Sequence, residues 1–251
     1  MAPPQFESWL EYHLRSRSQE HLSRKFFHMI SGTIVGFLFV SMFSRIDAIF
    51  WMGMTTLFLI SFDLLRLKVP AVNGFIIRSF GRLMRKEEAG GPSAQLFYLL
   101  GLCWAIFFLP RPVAVHAIFT LAWMDPIAAI FGVRYGRRTW RSVFATVFRR
   151  SRSVSYILGA KTVEGSAAGF LAAFLAGIIA WTGPWAAYAI DGKLWWPEPS
   201  TVLTLSLVGA LVATVSEAWP SQWDDNINIP FWTGLILWGT TVLLNIPMHF
   251  V

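Results

Sequence analysis

One cysteine, Cys103, stands alone among 251 residues, so the chain can close no intramolecular disulfide and its fold owes nothing to oxidation. Cys103 reads as a small apolar filler. Charge is scarce as well: 14% of residues are Asp, Glu, Lys or Arg, against 55% hydrophobic, with 22 Phe and 13 Trp. That balance excludes a disordered chain, a coiled coil and an ordinary soluble domain. A soluble core of this size cannot hide so much apolar surface, whereas helices facing lipid need not hide it. A secretory signal is missing from the first 25 residues, because Glu7, Glu11 and Glu20 interrupt them and no apolar run precedes Phe26. The amino terminus is therefore expected to be retained. No Gly-x-x-x-x-Gly-Lys-Ser/Thr occurs, which rules out a P-loop as phosphate cradle. Internal repeats and low-complexity tracts are absent too.

What the chain has is a series of apolar runs able to cross a hydrocarbon layer of about 30 Å at about 1.5 Å per helical residue. Seven are expected: Phe26 to Phe43, Ile46 to Phe62, Ala94 to Leu109, Val113 to Val133, Gly165 to Gly183, Thr201 to Trp219 and Ile229 to Met248. The second and third are the shortest relative to the membrane. This describes an all-α polytopic membrane bundle, with residues 1–25 as a cytoplasmic amino-terminal segment and residues 26–251 as a single transmembrane domain.

The net charge of +7 reports orientation before it reports nucleic acid. With seven crossings, 18 of the 21 Lys and Arg fall on one side and only Arg45, Arg111 and Lys193 on the other. The positive-inside rule makes the rich side cytoplasmic and so puts the amino terminus inside. Two inner connections also carry amphipathic patterns. From Phe75 to Lys86, Ile76, Phe80, Leu83 and Met84 share a face opposite Arg78, Arg82 and Arg85; Trp140, Val143, Phe144, Val147 and Phe148 repeat the arrangement among arginines. Both suit helices lying in the membrane interface, with the arginines on anionic lipid heads.

Ionisable groups at membrane depth are costly unless they face a partner or a wet cavity. Four clusters qualify, all on the cytoplasmic side. In the first, Arg24, Lys25 and His28 stand at the mouth of the first crossing, where Arg and Lys either grip phosphate oxygens or merely snorkel. In the second, Asp125 interrupts the fourth crossing, and Ala128, Ala129, Gly132 and Gly136 continue its stripe at offsets of 3, 4, 7 and 11. Such a stripe admits either a ligand or a neighbouring helix, the latter with Asp125 salt-bridged to a basic residue. In the third, Lys161, Glu164, Gly165 and Ser166 open the fifth crossing, with Lys161 and Glu164 expected on one face of a helix amino terminus that favours anions. The fourth runs from Glu217 to Asp225, Asn226 and Pro230; its oxygens suit Mg2+, and the same run also reads as a capped turn. Their shared side suggests a phosphoryl or nucleotidyl transfer site open toward lipid.

Taken in order, Arg24-Lys25-Phe26-Phe27-His28, Phe62-Asp63-Leu64-Leu65-Arg66, Asp125-Pro126 through Gly132 to Gly136, Lys161-Thr162-Val163-Glu164-Gly165-Ser166, and Glu217 with Asp225-Asn226 and Pro230 resemble the CTP-dependent lipid-alcohol kinases. That family includes dolichol, phytol, farnesol and diacylglycerol kinases and is related to phosphatidate cytidylyltransferases. Met124 stands where the family commonly has Gly. The resemblance implies transfer of the terminal phosphate of CTP to a membrane alcohol, giving a lipid monophosphate and CDP, in a bacterial inner membrane or endoplasmic reticulum. It also implies site roles. Arg24, Lys25, Lys161, Gly132, Gly136, Gly165 and Ser166 would meet the nucleotide. Asp125, Glu217, Asp225 and Asn226 would hold Mg2+. Asp125, Lys161, Glu164 and His28 would serve catalysis, with the identity of the base left open. The competing readings are a cytidylyltransferase acting on a lipid phosphate and, more distantly, a transporter of an anionic solute.

Overall fold

The computed structural model describes residues 22–41, 44–84, 86–140, 142–143, 161–186, 188–190, 193–219, 223–246 and 248. Among these, eight α-helices carry nearly all the regular structure: α1 (Leu22–Ser41), α2 (Arg45–Lys68), α3 (Pro70–Phe80), α4 (Ala94–Phe108), α5 (Arg111–Tyr135), α6 (Val163–Thr182), α7 (Pro199–Ala218) and α8 (Asp225–Leu243). A two-stranded antiparallel hairpin, β1 (Tyr188–Ile190) and β2 (Lys193–Trp195), joins α6 to α7. The architecture is an all-α polytopic membrane bundle with this one small ornament. Each of the seven expected runs falls largely within one helix; α2, α5, α6 and α7 are long and apolar enough to cross a membrane by length and composition, whereas α4 is a shorter apolar helix of 15 residues.

The differences from expectation have local causes. The first helix already includes Arg24 and Lys25, so both side chains are held on a helix face instead of in a leading segment. The second run extends to Lys68 and stops because Val69, extended at φ −115° and ψ 99°, precedes Pro70. A residue before proline disfavours helix, and proline is well suited to begin the next one. That next helix, α3, replaces the expected helix from Phe75 to Lys86: it starts at Pro70, ends at Phe80, and gives way to 3-10 turns at Gly81–Leu83 and Lys86–Ala89. The second expected interfacial helix, Trp140 to Phe148, falls mainly outside the described residues.

The centre of the bundle is α5, most of whose residues from Pro112 to Ala128 are buried. Small residues make that possible. Gly177 of α6 and Gly209 of α7 press against the His116 ring, whose Nδ1 accepts a 2.9 Å hydrogen bond from Trp181 Nε1. At the other end of α5, a Cβ on Gly165 would lie 2.7 Å from the Ala128 carbonyl oxygen and 2.9 Å from Gly132 Cα. The stripe of Ala128, Gly132 and Gly136 is thus a helix–helix seam with α6, in which backbones approach too closely for larger side chains. Gly101 of α4 plays the same part against α8. There Pro230 has no N–H for the Asn226 carbonyl four residues earlier, and a Cβ on Gly101 would collide with that oxygen.

Chain direction alternates through the seven long helices, so one end of the bundle gathers the starts of α1, α4, α6 and α8 with the ends of α2, α5 and α7. The opposite end holds Arg45, Arg111 and the hairpin. Arg45 donates to the Leu109 and Phe107 carbonyls at 2.9 and 2.7 Å, and Arg111 to the Phe39 carbonyl at 2.6 Å. Both cap carbonyls that a helix end leaves without partners.

Replacing Gly165 by Leu is expected to overpack the α5–α6 seam at a cost of about 1–3 kcal/mol. Thermal unfolding of purified protein in detergent would record it as a lowered midpoint. Gly239→Leu, where an added Cβ meets nothing within 4 Å, should leave the midpoint unchanged.

Candidate active site

Three ionic groupings lie at the basic end of the bundle. Lys25 of α1 bonds Oδ2 of Asp125 of α5, joining residues 100 apart in sequence; the two side chains are 15% and 12% exposed. Asp125 sits one residue before Pro126, on the helix face that turns toward α1. Its carboxylate is also within electrostatic range of Lys161 and His28.

Lys161 precedes α6, whose start is fixed by the Thr162 hydroxyl accepting from Gly165 N–H at 3.1 Å. The sequence suggested a Lys161–Glu164 pair on one helix face. Instead Lys161 lies outside the helix, ahead of its cap, and reaches across to α7 and α8. Its Nζ is 3.1 Å from Glu217 Oε1 and 2.9 Å from Asp225 Oδ2, and it also donates to the Glu217 carbonyl. Glu164 turns the other way, accepting from Arg138 N–H at 3.3 Å. Burial by itself would lower the Lys161 ammonium, but the Asp225 and Glu217 carboxylates beside it outweigh this and hold its pKa above the ordinary lysine value. On the lysine side its ion pairs therefore persist at neutral pH and, as pH rises, are lost above the usual lysine range.

Ser166 extends the group inward. Its hydroxyl donates to Glu217 Oε2 at 3.3 Å and accepts from Trp140 Nε1 at 2.9 Å. At the start of α8, Asp224 accepts from Asn226 N–H at 3.0 Å, and Asn228 Nδ2 donates to the Ser216 carbonyl at 2.9 Å, tying the end of α7 to the start of α8. Exposure grades from the rim inward: Lys161 and Asp225 side chains are 34% and 36% exposed, whereas Glu217 is 9%.

The third grouping is on the opposite flank of α1. Arg24 is paired with Glu88 at 3.5 Å, both nearly buried. His28 stacks on Tyr98 with ring centroids 4.3 Å apart, and Tyr98 donates its hydroxyl to the His28 carbonyl at 2.7 Å. Asp63 and Arg66 of α2 bond each other at 2.7 Å behind them.

The structure thus gathers Lys25, Asp125, Lys161, Ser166, Glu217 and Asp225 into one electrostatic neighbourhood, with His28 at its edge. Arg24 faces away from Lys25, and Gly132, Gly136 and Gly165 are occupied by the helix seam. Glu88 and Tyr98 belong to the surroundings but gave no sequence signal beyond being polar or aromatic, and Trp140, expected in an interfacial helix, instead donates to Ser166.

Mg2+ takes hard oxygen ligands, often one or two protein carboxylates beside phosphate oxygens and water. Glu217 and Asp225 offer two carboxylates already converging on one cationic centre, the Lys161 ammonium. Asn226 does not join them; its amide nitrogen faces the Ala94 carbonyl at 3.5 Å. Among the described residues no group of three or more His, Cys, Asp or Glu forms a metal-binding cluster. This donor set fits a cation shared with a polyphosphate, not a cage made by the protein alone.

No protein-family model matches the chain, and no solved structure does. Curated proteins do. The chain is 29% identical over 248 residues to the CTP-dependent diacylglycerol kinase 1 of Saccharomyces cerevisiae, covering 90% of this chain and 78% of that one. The protein of the same name from Eremothecium gossypii is 29% identical over 245 residues, with 90% and 71% covered. The Schizosaccharomyces pombe counterpart is 26% identical over 180 residues, with 70% and 73% covered. The chain is thus similar, over most of its length, to CTP-dependent lipid kinases. The likeness is compatible with the bundle: a lipid kinase needs cationic side chains for a polyphosphate beside carboxylates, and the Lys25–Asp125 and Lys161–Glu217–Asp225 groups have that make-up.

Replacing Lys25 by Met is expected to destabilise the protein by about 3–5 kcal/mol, because the Asp125 carboxylate is left buried without its counter-ion. The double variant Lys25→Met with Asp125→Leu should recover most of that loss, as read by detergent thermal unfolding. Equal midpoints for the single variant and the parent would show that the pair contributes nothing to stability.

Proposed function

We propose that the protein transfers the terminal phosphate of CTP to the hydroxyl of diacylglycerol, giving the phosphorylated lipid and CDP. Polyprenol, phytol and farnesol are the other acceptors its family resemblance allows, and the names of the relatives favour diacylglycerol. The observation that carries the reading is the convergence of two lysines, Lys25 and Lys161, on three carboxylates drawn from α5, α7 and α8.

Both lysines are held by carboxylates that a triphosphate can replace. As nucleotide binds, phosphate oxygens take the place of Asp125 and of Glu217 and Asp225 as partners of the ammonium groups, so each ammonium stays paired throughout. The released carboxylates then face the chemistry. Glu217 and Asp225 would hold the Mg2+ that accompanies the nucleotide, and that ion would offset charge on the phosphate oxygens. Asp125 orients the acceptor hydroxyl and takes its proton. The hydroxyl oxygen forms a bond to the γ-phosphorus, the bond from that phosphorus to the β–γ bridging oxygen breaks, and CDP leaves. Lys25 and Lys161 stabilise the charge spread over the transferring oxygens. The excess of Lys and Arg at this end of the bundle supports a cytoplasmic site, where CTP is supplied.

Vesicles containing the protein and diacylglycerol, given CTP labelled at the γ-phosphate, are expected to yield labelled lipid. A cytidylyltransferase would put that label into pyrophosphate, and the same measurement with polyprenol, phytol and farnesol ranks the acceptors. Asp125→Asn keeps an acceptor for Lys25, and Lys161→Met removes one charge from a partly exposed site. The inserted, folded fraction of each, measured beside the assay because Asp125→Asn takes the counter-charge from Lys25, should lose at least about a thousandfold in turnover. Near-normal turnover in either would remove that residue from the mechanism.

A further inference from the structure

A cavity of about 430 Å3 lies between α1, α2 and α3, within the range typical of small-ligand sites. It is not a packing defect in a loose region. Its far wall is stapled by Arg66, which is 1% exposed and donates to Asp63 at 2.7 Å, to Asn73 Oδ1 at 3.1 Å, and to the Glu88 and Gly91 carbonyls at 2.9 and 2.7 Å. Asn73 adds a 2.7 Å bond to the Ala89 carbonyl, and Asp63 accepts from Ser93 N–H at 2.8 Å. One guanidinium therefore locks the end of α2, helix α3 and the connection to α4 around an open volume. Building such a frame at membrane depth is costly unless the volume is used.

The chemistry of the walls is divided. Most of the lining is aromatic and aliphatic, while Arg24, Glu88 and His28 form a polar end. On the other side, Phe27 of α1, Phe58 of α2 and Phe80 of α3 line the cavity and are also 45%, 68% and 52% exposed. In a membrane protein those exposed rings face lipid, so the cavity has a mouth toward the bilayer. The polar end lies against the reaction site. Arg24 and His28 look into the cavity while Lys25, their neighbour on α1, reaches Asp125, and His28 is within electrostatic range of that carboxylate.

We propose that this cavity receives the acceptor lipid, with its hydroxyl-bearing glycerol end at Arg24 and His28, the first carbons of its chains against Phe58 and Phe62, and the tails leaving past Phe27, Phe58 and Phe80 into the bilayer. This rests on the kinase reading and extends it by assigning the lipid site. Lipid and nucleotide thereby approach Asp125 from different faces of α1. The lipid's fatty chains never need to leave hydrocarbon, and the triphosphate never needs to enter it. The α3 helix acts as the outer lip of the mouth.

The test uses full-length protein in vesicles. Diacylglycerol carrying a photoreactive diazirine near the carboxyl end of one acyl chain is expected to attach to peptides spanning residues 24–28, 58–66 and 76–84 in the parent protein. Attachment confined to other helices would overturn the assignment. Leu59→Trp, which fills the cavity from α2, should raise KM for diacylglycerol at least about tenfold while KM for CTP stays within about twofold. An unchanged KM for lipid would also overturn it. Should Leu59→Trp fail to insert, Phe58→Ala and Phe80→Ala change the exposed lip without touching buried packing and are expected to shift the preference among acyl-chain lengths; no shift in either counts against the site. Failure of the kinase reading is distinguishable, because it appears as absence of labelled lipid from the parent protein with every acceptor, whatever the cross-linking pattern.

Discussion

A charge inside a bilayer must find an opposite charge, and the Lys25–Asp125 pair meets that demand between helices that are far apart in sequence. Neither residue is stable at its depth alone, so the pair fixes how α1 turns relative to α5. Once α1 is so turned, its two flanks acquire different tasks: Lys25 faces the carboxylates of the bundle, and Arg24 and His28 face the apolar cavity beside α2 and α3. The proposed placing of the reaction between a water-borne donor and a lipid-borne acceptor rests on this rotation.

Small residues provide the second constraint. Helix α5 carries Asp125 and is buried from Pro112 to Ala128, which requires neighbours to come close without bulky side chains. Gly165, Gly177 and Gly209 let α6 and α7 do so, and the proximity carries Lys161 and Glu217 toward Asp125. Lipid offers no hydrophobic drive for helix association, so contact area gained by smooth seams has to supply it. The glycines that would otherwise suggest a ligand cradle thus act one step earlier, by setting the distances at which the charged groups meet.

In the proposed reaction the ion pairs would let phosphate oxygens replace carboxylate oxygens as partners of the two lysines. Exposure increases from Lys25 and Asp125 to Lys161 and Asp225, which makes the second group the wetter of the two. The Arg66 staple has a different character. Its donors are spent on Asp63, Asn73 and backbone carbonyls, which makes it part of the scaffold although it stands among residues of similar chemistry.

Hydropathy alone determined the seven long helices, because lipid-facing segments must be continuously apolar and helical to satisfy their backbone, and the scarcity of ions let Asp125, Lys161, Glu217 and Asp225 stand out. Proline in the pair Val69–Pro70 marked a break whose exact place hydropathy missed, since Leu64, Leu65 and Leu67 are as apolar as a crossing. Which charges pair was decided by tertiary structure. Lys161 and Glu164 are three apart, a spacing that suits a helix face, but Lys161 lies ahead of the helix cap and its long side chain spans to α7 and α8 instead. The cavity was equally invisible, because an empty volume is a property of how α1, α2 and α3 fail to touch, and no single segment encodes a gap. Sequence carried the local free-energy preferences of each segment; the rotations of the helices, which turn those preferences into a site, exist only after packing.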